Sequence, residues 1–193
     1  MPDSPQSDHP PATGIGRRAF AGAGLVAIAA AGMPATAAPA RARRPKVEDR
    51  LAIEDLFTSY LWAFDCGDAD AFATLFTAGA VVVGKGTRYA GRAAILEWFR
   101  MLIGLRDREG DDAWMHQAGQ FRFVPADGGW IVFAYATHFN GNSQKGTRGV
   151  RSLGYFTCEC RREAGEWKFH RFSISAWDRT AVPWKKPLPW AGG

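Results

Sequence analysis

Two histidines, His116 and His138, lie eleven residues on either side of Asp127. Asp127 is the middle of the run Pro125-Ala126-Asp127-Gly128-Gly129, a turn signal between two stretches of strand composition, Trp114 to Val124 and Trp130 to Phe139. A hairpin centred on Asp127 sets the two imidazoles opposite one another on one face, with Cβ atoms about 4.5 to 5.5 Å apart. Imidazole gains and loses its proton near neutrality, so such a pair brings two proton-transfer groups into one small volume. A turn centred half a residue further on sends the rings to opposite faces, because a one-residue slip inverts the alternation. The spacing fits equally well with two polar residues on a solvated sheet face.

The elements that must position these residues can be read from periodicity. Lys46 to Asp65 carries Leu51, Ile53, Leu56, Phe57, Tyr60, Leu61 and Phe64 at helical spacing, and the Cys66-Gly67-Asp68 run supplies a stop. A short helix is expected over Asp70 to Phe76, a strand over Ala80 to Val83, a loop over Gly84 to Gly91 and a third helix over Arg92 to Leu105. Strand-like runs follow from Trp114 to Val124, Trp130 to Asn140, Val150 to Arg161 and Trp167 to Trp177. Helices first and a meander afterwards is an α+β layout, with three N-terminal helices packed on one face of a curved antiparallel sheet. Ile131, Phe133 and Tyr135 alternate with Val132, Ala134 and Ala136, so both faces of that strand are apolar. This suggests that the second face is buried against another subunit. The tail over residues 181–193, rich in Pro and Trp, reads either as an extended strap over a pocket mouth or partner, or as disorder.

A chain of 193 residues suits one domain with a real core. Residues 1–45 stand apart: Arg17-Arg18 precede an Ala-rich apolar run, and Ala35-Thr36-Ala37 and Ala38-Pro39-Ala40 follow as small-residue cleavage signals. That order describes an export signal, and the paired arginines in Gly16-Arg17-Arg18-Ala19-Phe20 resemble a twin-arginine leader, with a disordered basic tail as the plainer reading. The domain is expected over residues 46–180, exported to the periplasm or beyond, or tethered to the membrane if the leader is uncleaved. The net charge of +5 is no nucleic-acid footprint, because the first 45 residues hold five arginines against two aspartates and leave about +2 for the rest. Cys66, Cys158 and Cys160 show no zinc spacing. Cys158 and Cys160 are too extended on one strand to bridge easily, and Cys66 could pair with either or all three could stay free.

Ile53-Glu54-Asp55-Leu56, Tyr60-Leu61-Trp62-Ala63-Phe64-Asp65-Cys66-Gly67-Asp68, Tyr89-Ala90-Gly91-Arg92-Ala93-Ala94-Ile95 and Gly165-Glu166-Trp167-Lys168-Phe169 together resemble the SnoaL-like branch of the NTF2-like superfamily, over nearly all of residues 47–178. The resemblance implies an α+β cone around a deep apolar pocket, commonly in homodimers or homotrimers. It extends to the scytalone dehydratase type of site, whose catalytic Asp and two His fall on Asp65, His116 and His138. Bile-acid dehydratases and hexachlorocyclohexane dehydrochlorinase similarly use the first two positions. This chain departs from that pattern at Phe64, which replaces a tyrosine, at Gly84, where another tyrosine is expected, and at Gly154 and Phe156, which replace a Ser and an Asn that bind scytalone. The resemblance thus implies a retained proton-transfer apparatus in a more apolar pocket.

The resulting expectation is a cofactor-independent, metal-free lyase or proton-shift isomerase acting on a small apolar molecule, with cyclic and steroid-like compounds among the candidates. Asp65 would fix the tautomer of His116, His116 would act as base, and His138 would protonate a departing hydroxyl or polarise a carbonyl. Tyr60, Trp62, Phe64, Gly154 and Phe156 are the expected substrate-binding residues. The alternative is a non-catalytic binder that offers the same pocket to a hydrophobic ligand or a protein partner.

Overall fold

The computed structural model describes residues 43–110 and 113–191. The expected leader and cleavage signals lie almost wholly outside the described residues. Helix α1 (Val47–Cys66) is followed by the short α2 (Ala69–Thr74), strands β1 (Phe76–Gly84) and β2 (Thr87–Ala90), and helix α3 (Gly91–Glu109). Four long strands complete the domain: β3 (Ala113–Ala126), β4 (Gly129–Asn142), β5 (Thr147–Glu163) and β6 (Glu166–Ala176). They form one six-stranded sheet in the order β2-β1-β6-β5-β4-β3. The α+β expectation holds.

Three local expectations need correction. The segment Gly84–Gly91 is not all loop, because Lys85 and Gly86 take positive φ, 49° and 80°, and turn the chain into β2. A lysine in a left-handed position gives no sequence signal for such a turn. The sheet is not wholly antiparallel, since β1 and β6 pair in parallel. Helix α2 stops at Thr74, with Asp68 capping it by accepting from the Ala71 N–H at 2.9 Å, and Phe76 starts the strand.

The helices lie against the inner face of the sheet. From α1 come Ile53, Phe57, Tyr60 and Phe64, and from the sheet Val132, Ala134, Phe156, Cys158, Cys160, Phe169 and Phe172, all in one buried cluster. Cys158 and Cys160 are therefore core residues, Cys66 is exposed, and all three thiols are free. The outer face carries Phe133, which packs edge-on against Trp184 with ring centres 6.3 Å apart. Arg122 lies 4.1 Å over the same indole. Here the chain's own tail covers this apolar residue. Among the described residues its regular structure is a single 3-10 turn, Pro183–Lys185.

The hairpin between β3 and β4 determines where the histidines point. Its turn is Asp127-Gly128, flanked by the pair Ala126 and Gly129, so it is centred half a residue beyond Asp127. That placement alone would send His116 and His138 to opposite faces. A β-bulge between Gly119 and Arg122 absorbs the extra residue, with Gln120 at φ 55°, and beyond it His116 pairs directly with His138. The expected register is found, but it depends on the bulge rather than on a symmetric turn.

Candidate active site

Helix α1 ends in a Schellman arrangement: the Gly67 N–H donates to the Phe64 carbonyl, the Asp68 N–H to that of Ala63, and Gly67 sits at φ 74°. This places Asp65 in the last helical turn, where a carboxylate opposes the helix dipole. Arg106 of α3 supplies a compensating cation, its Nη1 donating to the Asp65 carbonyl at 2.9 Å. The Asp65 carboxylate spans both hydrogen-bonding groups of one residue on β3. Its Oδ2 accepts the His116 backbone N–H at 2.7 Å, and its Oδ1 lies 2.6 Å from His116 Nδ1.

With Nδ1 engaged by a carboxylate, the proton resides on Nδ1 and the lone pair on Nε2. Phe64 meets the His116 ring edge-on at 5.3 Å, giving the couple an apolar flank. His138 stacks on His116 with ring centres 4.3 Å apart and planes 17° from parallel. Burial, then the nearness of His116 and Arg151, holds the His138 ring down at about 4. That favours the neutral ring near pH 7. A neutral ring can still polarise an oxygen through an N–H donor.

The expected substrate-binding residues separate into four groups. Phe64 touches the couple. Tyr60 and Phe156 are core residues, Tyr60 lying against Phe64, Phe72, Phe156, Phe169 and Phe172. Trp62 is 69% exposed and points away from the sheet. Gly154 lines a mostly apolar hollow of about 170 Å³ with Tyr135, Ala136, Thr137, Leu153 and Trp177. A Cβ at Gly154 would lie 2.4 Å from the Ser175 carbonyl oxygen, so the residue is glycine because two backbones meet there. A larger hollow of about 440 Å³, between α1 and the β5–β6 turn, includes Asp55, Ser59, Arg162 and Lys168. Neither hollow is lined by Asp65, His116 or His138.

Two features escaped the sequence reading. At Gly84, a Cβ would lie 2.7 Å from Trp98 Nε1, so the indole of Trp98 takes the space a side chain there would need. Trp114, two residues before His116 and on the same face, has its ring 5.6 Å from His116 and 4.1 Å from His138. The alternation of the strand could have found Trp114, whereas nothing local announces Trp98. Among the described residues, no three His, Cys, Asp or Glu side chains converge as a metal site requires.

The sequence matches the SnoaL-like domain over residues 45–173. No protein of curated function matches it. Among solved structures, it is 28% identical to a candidate aromatic ring hydroxylase from Novosphingobium aromaticivorans, with a TM-score of 0.58 over 69% of this chain and 92% of that one. An NTF2-like protein with a cystatin-like fold from the same organism is 24% identical, with a TM-score of 0.59 over 69% and 85%. A candidate scytalone dehydratase, also from that organism, is 16% identical, with a TM-score of 0.56 over 68% and 85%. The last two likenesses establish the fold alone.

Proposed function

Because this chain belongs to the SnoaL-like family, we propose that it is a cofactor-independent lyase of the dehydratase type, or a proton-shift isomerase, acting on a small and largely apolar molecule. One observation carries the reading. The Asp65 carboxylate holds His116 at two points, 2.7 and 2.6 Å, with His138 stacked alongside. A carboxylate-fixed imidazole with its lone pair turned away is a general base, typically contributing about 10² to 10⁴ in rate. It removes a proton from carbon next to a carbonyl, and loss of a β-hydroxyl or return of the proton elsewhere completes elimination or isomerisation.

The test uses 3-hydroxycyclohexanone, whose dehydration yields an enone that absorbs in the ultraviolet. The full chain releases enone, and His116→Ala releases none while still binding the ketone. Undiminished release from His116→Ala overturns the proposal. A non-catalytic binder is favoured by the fact that neither described hollow touches the histidine couple. In that case His116→Ala and Asp65→Ala change no ligand affinity and no turnover exists to lose.

Export is proposed from Arg17-Arg18 and the Ala-rich run after them. Fractionation of expressing cells tests it, with a shortened chain outside the cytoplasm expected and Arg17→Lys with Arg18→Lys retained inside. Self-association is proposed through exposed Met115, Tyr135, Val150 and Leu153. Sedimentation should give a dimer or trimer for the full chain.

A further inference from the structure

We propose that Trp114 is a substrate-contacting residue, its indole N–H and the ring of His138 together holding one oxygen of a small carbonyl compound beside His116. The inference rests on the base reading above. Trp114, His116 and His138 form a triangle of rings with centres 4.1, 4.3 and 5.6 Å apart on the inner face of β3 and β4. Two of their polar atoms, Trp114 Nε1 and His138 Nε2, are buried without a hydrogen-bond partner among the described residues. His138 as a whole is only 8% exposed. Buried polar groups nearly always find a partner, so two such atoms in touching rings call for an explanation.

The types of atom define the ligand. Indole Nε1 can only donate, and imidazole Nε2 donates in its Nε2–H tautomer. Two uncharged donors suit an acceptor-only oxygen and disfavour an ammonium or other donor group. They also suit an oxygen that gains charge during the reaction, because fixed donors in a water-poor site stabilise developing negative charge. His116 Nε2 takes a proton from the carbon next to the carbonyl. The C–H pair becomes the new C=C bond, and the carbonyl π pair moves onto the oxygen held by Trp114 and His138. The oxygen pair then re-forms C=O. In elimination the enolate C=C pair becomes the Cα=Cβ bond as the β C–O bond breaks, its pair leaving on the hydroxyl, which takes the proton from His116 and departs as water; in isomerisation of a β,γ-unsaturated ketone the enolate C=C pair moves to Cα=Cβ and the former Cβ=Cγ pair takes the proton from His116 at Cγ. Arg151, paired with Glu109, lies 5.9 Å over the indole.

The test uses cyclohexanone, an apolar ring with one carbonyl oxygen, against methylenecyclohexane, the same ring with a CH₂ group in place of that oxygen. In the full chain, cyclohexanone shifts the indole ¹⁵N–¹H signal of Trp114 downfield and methylenecyclohexane leaves its position largely unchanged. Trp114→Phe weakens cyclohexanone about three- to tenfold, the value of one neutral hydrogen bond, and leaves methylenecyclohexane affinity as it was. No cyclohexanone binding at its solubility limit, an unmoved indole signal, or equal affinity in Trp114→Phe each overturns the inference. The indole signal reads the wild-type chain, so it decides the matter even if the variant folds poorly. Repeating the titration in Asp65→Asn separates the two proposals: an indole shift that persists there, with no turnover in any form of the chain, leaves the oxygen site standing and removes the base.

Discussion

Replacing Asp65 by Asn should invert the tautomer of His116 while keeping the chain folded. The carboxylate accepts two hydrogen bonds from the same residue, the backbone N–H at 2.7 Å and ring Nδ1 at 2.6 Å. An amide has only one oxygen. The backbone N–H can only donate, so that oxygen stays with it, and the NH₂ group is turned toward Nδ1. Nδ1 must then accept, which places the ring proton on Nε2 and removes the lone pair that would act as base. The lost bond is charge-assisted and sits where Asp65 is 14% and His116 18% exposed, so it contributes about 1.5 to 3 kcal/mol. That corresponds to a drop of roughly 10- to 150-fold in the share of rings carrying Nδ1–H.

Nitrogen-15 spectra of the histidine rings measure this directly, because protonated and lone-pair nitrogens resonate far apart. In the wild-type chain the lone pair of His116 should be on Nε2, and in Asp65→Asn on Nδ1. Asp65→Ala serves as the control: it removes both bonds, leaves the His116 backbone N–H unpaired, and should lower unfolding free energy by about 2 to 4 kcal/mol in urea. Finding Nδ1–H still dominant in Asp65→Asn would refute the argument, as the fixed tautomer would then owe nothing to the carboxylate.

His138 makes the fold acid-sensitive. Unfolded, its ring takes up a proton near 6.5, and folded only at about 4, chiefly because of burial. The stability this contributes is whole above pH 6.5 and is lost as pH falls toward 4, about 3 kcal/mol in all; the urea midpoint of His138→Phe should fall less between pH 7 and 4.5 than that of the wild type. At the bulge, Gln120 holds φ 55°, a conformation that costs an L residue about 1 kcal/mol. Gln120→Gly should therefore raise stability by about that much, and an unchanged or lower urea midpoint would mean that the Gln120 side chain makes compensating contacts. At Gly154 the crowding by the Ser175 carbonyl predicts that Gly154→Ala costs about 1 to 3 kcal/mol, read as a fall in melting temperature.

What could be read in the sequence divides along a physical line. Periodicity gave the three helices and the long strands, because it reports which side of an element is apolar. It could not say what the apolar side touches. Tyr60 and Phe156 look the same in sequence whether they line a cavity or fill the core, and here they pack among the rings of Phe57, Phe72, Phe169 and Phe172. Trp62 could have been set aside, since two residues beyond Tyr60 is about 200° around the helix and faces away from it. The histidine pairing was legible only through two offsetting irregularities, a turn shifted by half a residue and a bulge that restores the register. The turn has a signal, since Asp-Gly is a favoured two-residue hairpin loop, but the bulge has none, for Gln120 is not a residue type that favours positive φ. Alternation beyond the bulge is regular, however, and it places Trp114 on the face of His116 as surely as it places His116 opposite His138. A tryptophan two residues from a candidate base on a half-buried strand brings its N–H donor to the same surface, and that donor has to be counted with the base when the site's chemistry is read.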